Sequence, residues 1–175
     1  MAEVLKPFIK PEMPMASPIR PTDDGARTLA RSLLAEARFA ALGVLLEDGS
    51  PLVTRVAFGL DPQGLPLSLV SELAQHTQAL RQHPACSLLA GEPGAKGDPL
   101  SHPRLSLMAQ AEFVPRQDPE HEVLAAHYLR SQPKAKLYLQ LADFSFVRFR
   151  VTAAHLNGGF GKAFRLTSAD LQETG

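Results

Sequence analysis

The stretch from Pro66 to Leu89 decides the fold, and it reads PLSLVSELAQHTQALRQHPACSLL. It opens with an apolar run at 67–70 that has the length and composition of a β-strand. A short helical pattern follows and ends before Pro84, because proline interrupts helices. A second apolar run at 86–90 predicts another strand. The stretch therefore predicts two strands connected by one short helix.

One face of this short helix is predicted to point inward although its middle is polar. Leu73, His76, Thr77 and Leu80 fall at positions i, i+3, i+4 and i+7, which puts them on one helical face. His76 and Thr77 also lie about one turn from the helix N-terminus, where free N–H groups and the helix dipole favour an anion such as phosphate. Alternatively, both side chains hydrogen-bond to backbone at a partly exposed helix edge.

The composition indicates one domain with balanced charge. The 175 residues include 18 Lys and Arg and 18 Asp and Glu, so no net field attracts nucleic acid or an anionic membrane. No apolar stretch approaches the roughly 18 residues of a membrane span, and no signal-peptide pattern is present. The single cysteine, Cys86, is expected to be a small buried hydrophobic residue. We therefore expect a cytoplasmic protein that binds neither nucleic acid nor membrane.

The chain is predicted to divide into an N-terminal arm, residues 1–21, and a domain, residues 22–175. The prolines of the arm are Pro7, Pro11, Pro14, Pro18 and Pro21. A segment so rich in proline cannot keep a helix or pair as a central strand. We expect it to be extended, and either disordered or draped over a partner subunit.

The domain is predicted to begin with a helix and to continue as an antiparallel meander. Capping residues at 22–24 precede an apolar stripe of helical spacing. Strands are predicted at 39–46 and 51–60, connected by the hairpin signal Asp48-Gly49, and a tight turn at 61–64 leads into the central stretch. Short turns between successive strands favour an antiparallel sheet over βαβ units.

Arg55 has two possible roles in the second of these strands. It shares one face of the strand with Val53 and Ala57, whereas Thr54 belongs to the opposite face. A guanidinium between two apolar neighbours either reaches past the sheet edge to water or meets an anion held against the sheet.

The second half of the chain continues with strands and peripheral helices. A loop rich in glycine and proline is predicted at 91–103, strands at 104–114 and 144–151, and helices at 119–129 and 134–141. The strand at 144–151 alternates aromatic and basic residues, so one face is expected to pack and the other to be wet. A final helical turn or two is predicted at 167–173.

Two histidines of the predicted helix at 119–129 do not indicate a metal site. His121 and His127 are six residues apart, which does not place two ligands on one helical face. Both are expected to be solvated or interfacial.

The segment at 154–164 contains three glycines within five residues. Such glycines allow a positive φ or a close approach of the backbone to something bulky.

Taken in this order, the elements resemble a flavin-binding split β-barrel of the pyridoxamine 5′-phosphate oxidase-like superfamily. The segments that carry the resemblance are VTRVAF (53–58), SELAQHTQAL (71–80), PACSLL (84–89), PRLSL (103–107) and HLNGGFGKA (155–163). The chain is most similar to the HugZ-like branch, which is named for haem utilisation. The resemblance implies a mainly β, α+β fold: a six-stranded antiparallel split β-barrel with peripheral helices.

The resemblance implies a homodimer with FMN at the subunit interface. Thr54 and Arg55 would contact the cofactor from a strand, and Ser71, His76 and Thr77 would meet its phosphate or ribityl chain. Arg104 falls where the family often places a further polar cofactor contact, and it completes the predicted set of cofactor-binding residues.

Two departures from the oxidase itself change the expected substrate. Gln75 and His76 stand where the oxidase has a phosphate site richer in Lys and Arg, and the chain contains no tryptophan. Vitamin B6 oxidation is therefore not expected. The HugZ-like branch implies haem binding, with His155 as the candidate iron ligand and Phe160 and Lys162 as candidates to flank a ligand.

Three functions follow as hypotheses. The first is an FMN-dependent oxidoreductase acting on a small-molecule substrate. The second is a protein that binds or degrades haem, and the third is a flavin-binding protein that stores or senses the cofactor. No general base or nucleophile with an orienting partner stands out, so the sequence names no catalytic residue.

Overall fold

The structure is a computed structural model that describes residues 19–172. Most of the arm predicted at 1–21 therefore lies outside the described residues. The strands are β1 (Ile19–Arg20), β2 (Phe39–Leu45), β3 (Pro51–Ala57), β4 (Gly59–Leu60), β5 (Pro66–Ser71), β6 (Ala85–Ala90), β7 (Arg104–Val114), β8 (Phe144–Asn157) and β9 (Ala163–Leu166). The helices are α1 (Asp24–Glu36), α2 (Gln75–Gln82), α3 (Glu120–Ser131) and α4 (Ser168–Leu171).

Six of these strands form the split barrel that the sequence predicts. Antiparallel ladders join them in the order β3, β2, β6, β7, β8 and β5. Within residues 19–172 no ladder joins β3 to β5, so the barrel is open along one seam. The predicted fold class, a mainly β split barrel with peripheral helices, is confirmed.

The sequence does not predict the three short strands. β4 pairs with the start of β5, and β9 pairs with the end of β8. β1 runs parallel to β9, with Ile19 opposite Ala163. The last residues of the predicted arm therefore add to the edge of the sheet, and residues 1–18 lie outside the part that the structure describes.

α1 forms where the capping signal predicts it. The Asp23 carboxylate accepts the N–H of Ala26 at 2.7 Å, which satisfies one of the free donors at the helix start. Ala26, Ala30 and Leu34 are buried on the face that packs against the barrel. The predicted helix is confirmed.

Two glycine turns connect the meander as predicted. Gly49 and Gly64 each have a φ of +80°, a conformation that glycine adopts without strain. The Leu46 N–H donates to the Ser50 carbonyl at 2.9 Å, which closes the β2–β3 hairpin. Both predicted turns are present.

The barrel interior is the main core of the protein. Alternate residues of the strands point into it, among them Leu42, Val44, Val56, Leu88, Leu105, Leu107, Phe149 and Leu156. Cys86, on the same inward face of β6 as Leu88, is half-buried against this core, and burial raises its pKa to about 12. It therefore remains a protonated thiol, consistent with the hydrophobic role that the sequence predicts.

A second, smaller core forms on the outside of the barrel, under α3. Leu67, Leu69 and Phe146 point outward from β5 and β8, and α3 covers them with Leu124 and Tyr128. This packing overturns two expectations. The outer face of the strand at 144–151 is not wet there, and a histidine of α3 is not solvated.

That histidine is His121, which is 8% exposed. Its ring lies 5.1 Å from the ring of Phe146, and burial lowers its pKa. His127 is half-buried, and Arg130 donates to its Nδ1 at 2.9 Å. The prediction of a solvated or interfacial residue is wrong for His121, because α3 lays that side of the helix on the sheet.

Arg148, expected on the wet face, is buried between two carboxylates. Its Nε donates to Asp61 at 2.7 Å and its Nη2 to Glu120 at 2.7 Å. Asp61 also accepts the N–H groups of Gln63 and Leu65, so its turn is held to β8. The expectation is wrong because Glu120, at the first position of α3, covers this side of the strand.

An irregularity in β8 reverses the direction of its side chains. Met108 pairs with Ala153 and Ala109 pairs with Val151, so Thr152 is an extra residue in the ladder with β7. Val147, Phe149 and Val151 therefore point toward the barrel interior, whereas beyond the bulge the even-numbered Ala154 and Leu156 are the buried residues. His155 consequently lies on the outer face.

The segment predicted as a helix at 134–141 forms two 3-10 turns, Pro133–Lys136 and Tyr138–Gln140. The N–H groups of Gln140 and Leu141 bond to the carbonyls three residues earlier, those of Leu137 and Tyr138, which is the 3-10 pattern. The Arg116 guanidinium donates to the carbonyls of Leu139 and Leu141. The predicted α-helix is therefore wrong at this position.

The last helix forms where the sequence predicts a final helical turn. α4 lies within the final turn predicted at 167–173, and Glu173 lies outside the described residues. Among residues 19–172 there is no helix with the length and apolar character needed to cross a membrane.

We predict that Arg148→Met destabilises the protein by about 3–5 kcal/mol, because it leaves the Asp61 carboxylate buried without a cationic partner. Arg150→Met is the matched control, since Arg150 forms an exposed, solvent-screened pair with Glu112 and should change stability far less. Urea denaturation of both variants measures the difference. Equal destabilisation of the two would contradict the structural role given to the buried pair.

Candidate functional site

The seam of the barrel runs between β3 and β5, two strands that carry three of the residues predicted to bind the cofactor: Thr54, Arg55 and Ser71. The Ser68 hydroxyl donates to the Ala57 carbonyl at 2.7 Å, so β3 and β5 lie side by side at that point. Beyond this bond no ladder joins the two strands within the described residues. β3 carries Thr54 and Arg55 along one side of the seam, and β5 ends at Ser71 on the other side, immediately before α2.

The start of α2 offers free backbone donors at the end of the seam. Ala74, its N-cap residue, makes no side-chain capping bond. The N–H groups of Gln75 and His76 have no acceptor among the described residues. Uncapped N–H groups at a helix start are suited to an anion.

Leu73 does not belong to the inward face that the sequence predicts. It is 87% exposed, whereas Thr77 and Leu80 are buried. The prediction is wrong for Leu73 because α2 begins at Gln75, so helical spacing does not apply to a residue in the preceding turn.

Thr77 is a buried polar side chain without a partner. It is 0% exposed, and its Oγ1 has no hydrogen bond within residues 19–172. A buried hydroxyl left in this state costs about 1–3 kcal/mol relative to a satisfied one. The side chain lies one position after His76, in the first turn of α2, where the free N–H groups also lie.

His76 is half-buried beside Thr77, and burial lowers its pKa below its ordinary value. Its imidazole is therefore predominantly neutral near neutral pH. It can donate or accept a hydrogen bond, but it contributes little positive charge. The seam therefore offers an anion mainly hydrogen-bond donors and little positive charge.

Ser71 is already engaged. Its hydroxyl donates to Asp143 Oδ2 at 2.7 Å and its oxygen accepts the N–H of Leu73 at 3.1 Å. A serine hydroxyl has one proton to donate, so this arrangement leaves none for an anion. Asp143, which the sequence analysis did not single out, therefore holds Ser71 in its present orientation.

Arg55 lies on the outside of the barrel. Its side chain is exposed, and its guanidinium carbon lies 4.7 Å from the centre of the Phe39 ring. Such a contact by an exposed guanidinium contributes about 0.5–1 kcal/mol. Thr54, one residue earlier, is half-buried on the opposite face of β3, so the two residues predicted from this strand point in opposite directions.

Cross-strand register places Arg55 and His155 in one line across the outer face of the sheet. We call this line the outer row, and its residues in order are Arg55, Ala41, Leu89, Ser106, His155 and Arg165. Arg55 and His155 are four strand spacings apart, roughly 19 Å between backbones. The two side chains therefore do not hold one small anion together.

His155 is exposed near one end of the outer row. Ser106 and Arg165 are its direct cross-strand neighbours. Its ring has no hydrogen bond among the described residues, so both ring nitrogens are free. Ser106 and Arg165 were not predicted as site residues, because only the register of the sheet reveals them.

The glycine-rich segment forms the hairpin between β8 and β9. Gly159 and Gly161 have φ values of +105° and +68°, which accounts for two of its glycines. Phe160, at the tip, is fully exposed. Lys162 is exposed as well, and its backbone closes the hairpin with Gly158 at 2.7 Å.

Arg104 lies at the base of this hairpin, since it pairs with Asn157. Its guanidinium donates to the Leu100 carbonyl at 2.9 Å, which ties the neighbouring loop to the sheet. Apart from Arg55, the predicted residues thus form two groups. One is the seam with α2, and the other is the outer face around His155 with the glycine hairpin.

Comparison with known proteins identifies the fold family. A family model described as CREG, beta-barrel, matches residues 21–172. A protein of Clostridium acetobutylicum, related to general stress protein 26 and of the pyridoxinephosphate oxidase family, shares the fold with a TM-score of 0.64 at 13% identity, covering 86% of this chain and 99% of that chain. The resemblance predicted from the sequence is confirmed.

Two more similar proteins carry haem in their names. The non-canonical heme oxygenase HOZ, chloroplastic, of Arabidopsis thaliana is 31% identical over 117 residues, 67% of this chain and 35% of that protein. A heme binding protein from Mycobacterium smegmatis is 30% identical with a TM-score of 0.76, covering 87% of this chain and 61% of that chain. The chain therefore spans about a third of the length of the curated relative that it matches.

We predict that Thr77→Val stabilises the ligand-free protein by about 1 kcal/mol, because it removes a buried hydroxyl that has no partner. Thr152→Val is the control, since the Thr152 hydroxyl donates to the Met108 carbonyl at 3.1 Å and is exposed. The midpoints and slopes of urea denaturation give both values. A loss of stability in Thr77→Val would mean that the hydroxyl has a partner in solution.

Proposed function

Because the chain belongs to the CREG β-barrel family, we propose that it is a haem-binding protein in which His155 ligates the iron. The observation that carries the proposal is an exposed imidazole with two free ring nitrogens on an open sheet face. Imidazole is a common axial ligand of haem. Two relatives, 31% and 30% identical to this chain, carry haem in their names, which supports the same ligand.

The surroundings of His155 fit a flat macrocycle with acidic substituents. Ser106, its direct cross-strand neighbour, and Ala153, two residues earlier on the same face, are small residues, so a planar group can lie close to the sheet. Arg165 is the direct neighbour of His155, and its guanidinium can pair with a haem propionate. Bound haem would supply iron redox chemistry, and the protein's own residues would ligate, orient and shield it.

We further propose that a second copy of the chain covers this face. Val53, Leu45 and Leu89 are 69%, 47% and 42% exposed on the outer face of the β2, β3 and β6 strands. Apolar side chains grouped on an open sheet are typical of an interface. Within one chain the seam and the His155 group lie apart. In a homodimer the seam of one subunit would meet the His155 group of the other.

FMN binding is the second candidate function. It is favoured by the unpartnered Thr77 hydroxyl beside the free N–H groups of Gln75 and His76, a set of donors to which a phosphate would be complementary. An FMN-dependent oxidoreductase, the function first predicted from the sequence, depends on this group. Thr77→Val should then weaken FMN roughly tenfold in an absorbance titration, whereas Thr152→Val should not.

An enzymatic activity and a cellular location complete the proposal. Oxidative breakdown of haem is the reaction we propose, and loss of the haem absorbance with a reductant and oxygen, in the presence of catalase, would measure it. The cytoplasm remains the proposed location, since one unpaired cysteine suits a reducing compartment.

We predict that haem binds the purified protein with a Soret band of a histidine-ligated iron, and that His155→Ala shifts this band. Affinity should fall at least about tenfold, since even residues that only orient a metal ligand contribute that much. His83→Ala is the control, because His83 is also an exposed imidazole but lies beyond α2. An unchanged spectrum in His155→Ala would exclude this ligand.

We predict that the protein sediments at about twice 18.9 kDa and that Val53→Asp returns it to the monomer, because a charge would be buried in the apolar interface. Val123→Asp is the matched control, since Val123 is 58% exposed on α3, away from the outer row. A wild-type monomer that still binds its cofactor tightly would contradict a shared site.

A further inference from the structure

A groove between α1, α3 and the β4–β5 turn is separate from both groups of predicted site residues. Its larger part has a volume of about 620 Å³ and is lined by Arg31, Leu60 and Leu171 among others. A part of about 250 Å³ adjoins it and is lined by Arg38 and Arg130 among others. Volumes of this size suit small-molecule ligands.

The two parts share an apolar floor. Leu34, Ala35 and Leu60 line both of them, together with the half-buried His127. Ala35 is exposed, so the floor is open to solvent at this point of α1. The groove can therefore receive the apolar body of a ligand.

Three guanidinium groups surround this floor without an acidic partner. Arg31 donates to the backbone carbonyl of Asp170, Arg38 to the carbonyl of Ser131, and Arg130 to the imidazole of His127. None of the three forms an ion pair with a described carboxylate. In a chain of zero formal net charge, three uncompensated cations at one groove are a local excess.

Asp61, the one carboxylate among the described residues that line the groove, does not cancel this excess. Asp61 Oδ2 is 2.7 Å from Arg148 Nε, and Asp61 Oδ1 accepts the N–H groups of Gln63 and Leu65. Arg148 also pairs with Glu120, so these three groups together leave one negative charge against the three cations of the groove.

His127 adds a donor that points to the same conclusion. Because Arg130 donates to Nδ1, that nitrogen carries a lone pair, and the proton of the neutral ring is on Nε2. An N–H donor beside three cations favours an acceptor with negative charge. We propose that the α1–α3 groove is a binding site for a small organic anion with an apolar body, such as a medium-chain carboxylate.

Octanoate and 1-octanol test the proposal on the full chain, since they share an apolar tail and differ in charge. Octanoate should saturably shift the backbone amide NMR signals of Leu34, Ala35 and Leu60. The alcohol should bind at least about fivefold more weakly, the equivalent of about 1 kcal/mol. Equal binding of the two, or shifts confined to other parts of the protein, would overturn the proposal.

Variants of the groove test whether its guanidinium groups and its apolar floor bind octanoate. The double variant Arg38→Gln/Arg130→Gln should weaken octanoate about tenfold, whereas Lys134→Gln, an exposed lysine that does not line the groove, should change it less than about twofold. Ala35→Trp should block the floor, and its amide spectrum reports whether it is folded. Unchanged octanoate affinity in the folded double variant or in folded Ala35→Trp would contradict the site. Because the outer face is not altered, haem binding serves as an independent readout in each variant.

Discussion

The buried pairing of Arg148 with Asp61 and Glu120 is the interaction on which the arrangement of the protein depends. It joins three elements that are distant in sequence: the turn before β5, the middle of β8 and the first turn of α3. A buried guanidinium between two carboxylates is costly to break, because each group would lose its partner away from water. It therefore fixes α3 over one part of the outer sheet face and leaves the remainder of that face uncovered.

The uncovered part is where the proposed haem site lies. The Phe149 side chain of β8 points into the barrel. If side chains alternated regularly from there, His155 would also point inside. The extra residue Thr152 reverses the alternation, so Ala154 enters the core and His155 faces outward. One bulge thus converts a histidine that would have been a buried polar group into an exposed side chain next to Arg165, where it can serve as the proposed iron ligand.

The seam between β3 and β5 has a different character. It places the buried Thr77 hydroxyl, without a partner, next to uncapped N–H groups at the start of α2. A folded protein satisfies most of its buried polar groups, and the exceptions concentrate at functional sites. The seam and the His155 group are separated within one chain, which is the physical reason for proposing that two chains share a cofactor.

The sequence by itself determined the six long strands, α1, the two glycine turns and the family, because alternation, capping residues and glycine positions act over a few neighbouring residues. It also singled out Thr77 and His155. Only the tertiary structure decided that Leu73 is exposed, that His121 and Arg148 are buried under α3, that Ser71 is engaged by Asp143 and that His155 faces outward. These outcomes depend on partners from distant segments and on a bulge in the register, and local sequence patterns carry no information about either.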